Sequence, residues 1–482
     1  MTQPEHLLNY INGSWQASVG GQVRANLNPA NTDDVIGAFT ESVTVDVTAA
    51  VDAATAAQSA WDAIGPVARA AVLTEARRLI GERVDEFAAA ITREQGKRLS
   101  ESIGETNRAL AILDFTIGEA RRMNGVTTPA EDPRTIAMTF HRPLGVVGLI
   151  TPWNFPLAVP MWKVAPALLA GCAAVLKPSP LTPLTSALLV QAFADAGVPA
   201  GVLNLVQGDR EAGAALVDDP RVAGISFTGS LSVGTEINRA GSGRLMRTQL
   251  ELGGKNALIV LADADLDDAV EAILHGAFSQ SGQRCSATSR VIVDRNVEQA
   301  LLSRLLPRVQ QMQIGRGDAH WADIGPVVNE QRQQACLDAV ARAVNDGADI
   351  ACGGKAAVLD TPGYFVEPTV LINVAWDSEV AQEEVFGPVL SVITCDGYDE
   401  AMRIANSVRY GMSGTIFTQS PTLIFQALND FQAGMLHVNR AGVGSYAHLP
   451  HMGAKASQLG APECSPDVWN FYTDLRSACI KY

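Results

Sequence analysis

The chain has little to offer a nucleic acid or a membrane. Its 36 lysines and arginines face 51 acidic residues, giving a net charge of −15. An acidic excess opposes a phosphate backbone or an anionic lipid surface, both of which call for a basic face, and it favours solubility. Long apolar runs are missing too. The longest, near 144–176, are broken by Pro152, Trp153, Asn154, Pro156, Pro160, Lys163 and Pro166. None reaches the roughly 20 residues that a membrane helix needs. The opening MTQPEHLLNYINGSW lacks a basic region followed by an apolar run, so no secretory signal is expected. Cysteines number seven, an odd count, with no CxxC and no Cys/His cluster along the chain. A disulfide framework is therefore not expected, nor is a metal site, and a reducing, cytoplasmic compartment fits. Glycine is frequent, at 42 residues, but without a period, which excludes collagen and suits strand–turn–helix junctions.

What is present is an α/β pattern longer than one ordinary core. Residues 44–63 and 66–95 carry apolar residues at three- and four-residue steps and predict helices, as does Asn107–Met123. Residues 134–150 are rich in β-formers. Short apolar runs then alternate with helices predicted over 183–196, 210–217 and 231–240, and again after residue 251 over 265–280 and 297–311. That alternation predicts βαβ units and parallel sheet, in two halves that divide near residue 250. The final WNFYTDLRSACIKY reads as a strand or short helix.

Five segments carry residues suited to chemistry. In VAGISFTGSLSVG, a strand runs into Gly229 and Ser230 at a helix start, where free N–H groups can hold a pyrophosphate; a plain tight turn explains it equally well. Lys177 of AAVLKPSP ends a buried-looking strand, at the edge where parallel sheets bind ligands; a solvated strand-end lysine is the commoner case. Cys285 of FSQSGQRCSATSR follows a glycine turn and Arg284, and both surroundings favour thiolate, although no histidine lies nearby in sequence. Taken alone, such a cysteine is usually inert. Glu251 of QLELGGKN ends an apolar strand, where desolvation suits a general base; otherwise it is a surface residue at a turn. In QEEVFGP, one carboxylate of Glu383 and Glu384 could meet a ribose while Phe386 packs beside a planar ring, or the segment is an ordinary acidic loop.

Taken in order, TPWNFP (151–156), KPSP (177–180), FTGS (227–230), ELGGKN (251–256), GQRC (282–285) and EEVFGP (383–388) resemble the aldehyde dehydrogenase superfamily, with INGSW near the start and GAKAS at 453–457. The resemblance implies two Rossmann-like open parallel-sheet domains plus a small β oligomerisation arm. Residues 1–125 and 143–250 would bind NAD(P), 251–440 would be catalytic, and 126–142 with 441–482 would form the arm and C-terminal segment. It implies that Cys285 attacks an aldehyde, that Asn154 and the Cys285 N–H hold the oxyanion, and that Glu251 activates water against the thioester. Lys163 would lie near the catalytic centre. Trp153, Asn154, Lys177, Ser179, Pro180, Gly229, Ser230, Leu252, Glu384 and Phe386 would bind the cofactor. A homodimer or homotetramer is implied.

The departures from the family pattern point to a substrate and a cofactor. Pro180 stands where NAD-specific members carry Glu, which removes repulsion against a 2′-phosphate and predicts use of NADP. His451 replaces an aromatic. With Arg284 and Ser445 it predicts a polar substrate pocket with Phe155 and Trp162 as its aromatic wall. The arginines of the succinic-semialdehyde branch are absent at Trp162 and Ser279. The runs RTQLELGGKNALIV and GQRCSATSRVIV look closest to the 2-oxoglutaric semialdehyde dehydrogenases. The alternatives are broad-specificity or succinic-semialdehyde oxidation, a CoA-acylating enzyme, and a non-catalytic binding member of the fold. Glu251 argues against the CoA branch. The presence of Cys285, Glu251 and Asn154 argues against the binding protein.

Overall fold

The computed structural model describes residues 5–444 and 446–482. Two open sheets dominate it. The first has eight strands, and its five central strands are parallel: Arg247–Glu251, Val222–Thr228, Val146–Ile150, Ala173–Lys177 and Leu203–Leu205, in that spatial order. Antiparallel Gln458–Leu459 closes one edge, and Asn9–Ile11 with Ser14–Gln16 closes the other. The second sheet has seven strands, six of them parallel, in the order Thr369–Ile372, Val389–Cys395, Thr288–Asp294, Asn256–Val260, Ser413–Phe417 and Met435–Val438, with antiparallel Asp349–Cys352 outside the first. The central strands are buried on both faces, as their near-continuous apolar runs dictate. Glu251 ends the first sheet's last parallel strand, and Asn256 opens the second sheet four residues after Leu252.

A third sheet stands apart. Thr473–Lys481 pairs antiparallel with all nine residues of Thr135–Pro143, which also pairs with Thr127–Thr128. The end of the chain is thus both of the expected elements, a short helix Trp469–Tyr472 and then a strand.

The amphipathic helices form where the spacing predicts, and all five later ones begin and end within two residues of expectation: Pro183–Asp195, Arg210–Asp218, Leu231–Ser242, Leu266–Phe278 and Glu298–Gln310. Two expectations need correction. The segment 66–95 is two helices, Pro66–Gly81 and Val84–Gln95, because Gly81 is a poor helix former and lets the chain turn. The helix expected from Asn107 begins at Leu99 and ends at Gly118. Its true start is marked by Glu101, whose carboxylate accepts the Arg98 N–H at 3.1 Å. A buried helix, Ala158–Ala170, is not visible as an amphipathic pattern because every residue in it is buried. Each leucine or valine in it contributes about 1.5–3 kcal/mol of burial.

Candidate active site

Cys285 follows an unusual turn. Gln280, Ser281 and Gly282 have φ of 54°, 56° and 67°, and the two non-glycine residues each cost about 1–2 kcal/mol in that left-handed region. The surroundings hold the strain. The Gln280 N–H donates to Glu101 at 2.9 Å, and the Ser281 hydroxyl donates to the Gly325 carbonyl at 2.8 Å. A Cβ on Gly282 would fall 2.3 Å from the Gly387 oxygen, so the turn has room only for glycine. Asn256 completes the frame, donating to the Cys285 carbonyl at 2.8 Å.

Two cavities meet at Cys285. A cleft of about 700 Å³ has Gly229, Ser230, Leu252, Glu384, Phe386 and Trp153 among its lining residues. A second cavity, of about 420 Å³, is lined by Phe155, Trp162, Arg284 and His451 together with Arg108 and Glu251. Asn154, Thr228 and Cys285 line both. Such volumes suit small-molecule sites.

The large cleft has features that fit a dinucleotide. The helix Leu231–Ser242 starts at its wall, with Ser230 as N-cap, so free N–H groups and the helix dipole face it. Gly229 donates to the Glu251 carbonyl at 3.0 Å, linking the turn to the strand end that carries Glu251. Glu384 accepts the Gly254 N–H at 3.0 Å, and a Cβ on Gly253 would sit 2.2 Å from its carboxylate. Burial pushes the Glu384 carboxyl up to about 7. Phe386, at φ 57°, meets Trp153 edge-on with centroids 5.4 Å apart. Leu252 packs beneath Gly234 of the helix. Lys177, Ser179 and Pro180 lie at the end of the strand Ala173–Lys177 and do not line the cleft. Lys177 is 6% exposed, donates to the Pro178 and Gly208 carbonyls at 2.7 and 2.9 Å, and is lowered by burial to about 8.

Around the sulfur, Asn154 is buried and donates one side-chain N–H to the Gln283 carbonyl at 3.1 Å, so its amide has one further hydrogen to offer. Its backbone carbonyl accepts from Lys97 at 2.7 Å and from Gln280. Glu251 is buried at 1% exposure, so it is no surface residue at a turn. Its carboxylate and burial together push the Cys285 thiol well up, against a smaller opposing pull from the Ser286 N–H. The expectation of a thiolate favoured by Arg284 is therefore corrected: desolvation and an adjacent anion outweigh the guanidinium. Arg284 faces Phe155 at 5.8 Å, and burial lowers it despite the pull of Glu101. The absence of a nearby histidine is corrected as well. His451 Nε2 stands 3.9 Å from Cys285 Sγ and 3.4 Å from Glu251 Oε1, brought there from 166 residues away.

Lys163 is buried, but it is ion-paired to Glu463 and donates to the Ser226 hydroxyl at 2.7 Å. Trp162 meets the His451 ring at a tilt of 33°, with centroids 4.8 Å apart. Ser445 lies outside the described residues. Sequence reading missed Arg108, Glu463 and the buried Lys97–Glu105 pair at 2.6 Å. Each is an ordinary charged residue along the chain and gains meaning only from burial.

A thiol, a carboxylate and an amide donor converging between two cavities can carry acyl transfer through sulfur. The comparisons agree with that chemistry. The chain is 38% identical to the alpha-ketoglutaric semialdehyde dehydrogenase of Bacillus subtilis, over 100% of this chain and 99% of that one. It is 40% identical to the 2,5-dioxopentanoate dehydrogenase of Saccharolobus solfataricus, over 94% and 95%. Malonate-semialdehyde dehydrogenases follow at 34–35%. The solved betaine aldehyde dehydrogenase of Staphylococcus aureus, in complex with NAD+, overlays with a TM-score of 0.96 at 31% identity, covering 98% of this chain and 95% of that one. Residues 15–478 match the aldehyde dehydrogenase family, and the chain belongs to that family as an NAD(P)-dependent oxidoreductase acting on the aldehyde group.

Proposed function

We propose that this protein oxidises 2-oxoglutaric semialdehyde, or a closely similar anionic semialdehyde, to the carboxylic acid. The observation that carries the reading is the second cavity, which sets Arg108 and Arg284 among Phe155 and Trp162 on the far side of Cys285 from the large cleft. Two guanidinium groups in a partly apolar cavity suit a substrate with a carboxylate at its distal end. The relatives named for 2-oxoglutaric semialdehyde support the same choice.

In this reading the eight-stranded sheet side binds the nucleotide and the seven-stranded side presents the nucleophile. Glu251 accepts the Cys285 thiol proton, since the carboxylate, sulfur and His451 donor atoms all lie within 4.8 Å of one another. Sulfur then attacks the aldehyde carbon. The second hydrogen of the Asn154 amide and the Cys285 N–H hold the developing oxyanion, a contribution of about 3 kcal/mol per donor. Bound nicotinamide supplies the hydride acceptor. Glu251 activates the water that cleaves the thioester. Lys163 acts one layer behind, through Glu463, rather than on substrate. Pro180 offers no carboxylate to repel a 2′-phosphate, so use of NADP is expected, with NAD also used.

Among the described residues the long outer strand Thr473–Lys481 has one edge without a strand partner, and Leu475 and Ile480 on it are exposed. We read that edge as covered by a second copy, in a homodimer or homotetramer. A cytoplasmic setting suits the seven free cysteines. Among the described residues no helix is long and apolar enough to cross a membrane.

The test is NAD(P)H formation with both cofactors against 2-oxoglutaric, succinic and malonic semialdehydes and aliphatic and aromatic aldehydes. The expected outcome is the highest kcat/KM for 2-oxoglutaric semialdehyde with NADP. A preference for long or aromatic aldehydes would overturn the reading of the second cavity.

A further inference from the structure

Three metal-type donors converge at the floor of the two cavities. Cys285 comes from the loop after the strained turn, and Glu251 from the end of the strand Arg247–Glu251. His451 is fixed by paired backbone hydrogen bonds with Glu463, at 2.8 and 3.0 Å, and by its tilted ring contact with Trp162. Sγ to Nε2 is 3.9 Å, Nε2 to Oε1 is 3.4 Å, and all three donor atoms lie within 4.8 Å. Among the described residues neither oxygen of the buried Glu251 carboxylate accepts a hydrogen bond of ordinary geometry, and its near polar neighbours are the other two donors, the Cys285 thiol and His451 Nε2.

We propose that Cys285, Glu251 and His451 form a binding site for a zinc-class divalent cation that switches the enzyme off reversibly. The spacing fits the ion. Zinc bonds of about 2.3 Å to sulfur and about 2.0–2.1 Å to nitrogen and oxygen, at tetrahedral angles, put S and N about 3.6 Å apart and N and O about 3.3 Å apart. The S–N and N–O separations found, 3.9 and 3.4 Å, need only a few tenths of an ångström of adjustment, while sulfur and carboxylate, which lie within 4.8 Å, must close to about 3.6 Å. The donor set selects the metal. Thiolate and imidazole suit Zn²⁺, whereas Mg²⁺ and Ca²⁺ want oxygen alone. Binding is a balanced exchange. The thiol proton leaves to solvent, three bonds form to the cation, and the fourth position keeps a water facing the cavity. No oxidant is needed. The thiolate that the neighbouring carboxylate disfavours in the empty site becomes, with that carboxylate, a ligand of one cation. Because this inference takes Cys285 as nucleophile and Glu251 as base, an occupied site has neither available.

The experiment titrates chelator-treated protein with Zn²⁺ by calorimetry and with Co²⁺ by absorbance, and reads metal binding separately from turnover. One Zn²⁺ per chain is expected, with a sulfur-to-cobalt charge-transfer band and tetrahedral d–d bands. Zn²⁺ should abolish turnover in step with occupancy, and EDTA should restore it. His451→Phe and Cys285→Ser should each weaken binding at least about 100-fold, since losing a ligand costs no less than losing its outer-shell support, and Cys285→Ser should lose the charge-transfer band. Circular dichroism checks that each variant is folded, and His451→Gln serves if His451→Phe is not. Unchanged affinity in folded variants, or no thiolate band in the wild-type protein, overturns the site. If the metal binds through these residues while turnover persists, the site stands and the catalytic reading fails.

Discussion

At the scale of single residues, the chemistry turns on where protons sit. Cys285 is pushed well up by burial and by Glu251, so the proposed nucleophile rests as a thiol and must lose its proton to react. Glu251→Gln removes the neighbouring anion while keeping the volume. Steady turnover is expected to fall about 10²–10⁴-fold, the usual worth of a positioned base. The thiol's pKa should fall, because one of the causes raising it has gone. The rate of Cys285 alkylation by iodoacetamide, followed against pH, checks this. The profile should move to lower pH in the variant, and a profile that stays put or moves up would refute the electrostatic account. Cys285 and Glu251 were legible in sequence because each sits in a short ordered motif. His451 at 3.9 Å from the sulfur was not legible as its neighbour, because nothing local encodes a contact across 166 residues.

At the scale of elements, the loop carrying Asn154 and the buried helix Ala158–Ala170 hang on one ion pair. Glu105 accepts the Leu157 and Ala158 N–H groups at 2.8 and 3.0 Å and pairs with Lys97 at 2.6 Å. Lys97 in turn donates to the Asn154 carbonyl and lies 4.3 Å from the Phe155 ring centroid. Burial lowers Lys97, and Glu105 opposes that shift. Lys97→Met leaves a buried carboxylate without its partner and should cost about 3–5 kcal/mol. Thermal unfolding should show it, with kcat falling as Asn154 loses its tether. Lys97→Met with Glu105→Gln should recover part of the stability, and failure to recover any would show that the pair is not what the loop depends on. Sequence periodicity found the amphipathic helices but not this buried one, because a helix apolar on all sides has no polar face to give it a period.

At the scale of the whole molecule, two open sheets meet where Glu251 ends one and Asn256 begins the other, and the site forms between them. The third sheet faces outward. Leu475 and Ile480 are 63% and 51% exposed on its outer strand, and apolar residues on an unpaired edge are an adhesive surface. Changing both to Asp should shift the protein to smaller species in sedimentation velocity, while a wild-type protein that sediments as a monomer would remove the oligomer reading. What the sequence determined by itself was the alternation of strands and helices, the two-part α/β architecture, and the candidates proposed as nucleophile, base and glycine turns, because propensity, periodicity and short motifs act over a few residues. Only the tertiary structure decided the rest. It set the protonation of Cys285, the pairing of Lys163 with Glu463, the approach of His451 and the entry of Arg108 into the second cavity. All of these depend on burial and on contacts between distant segments, which no local pattern records.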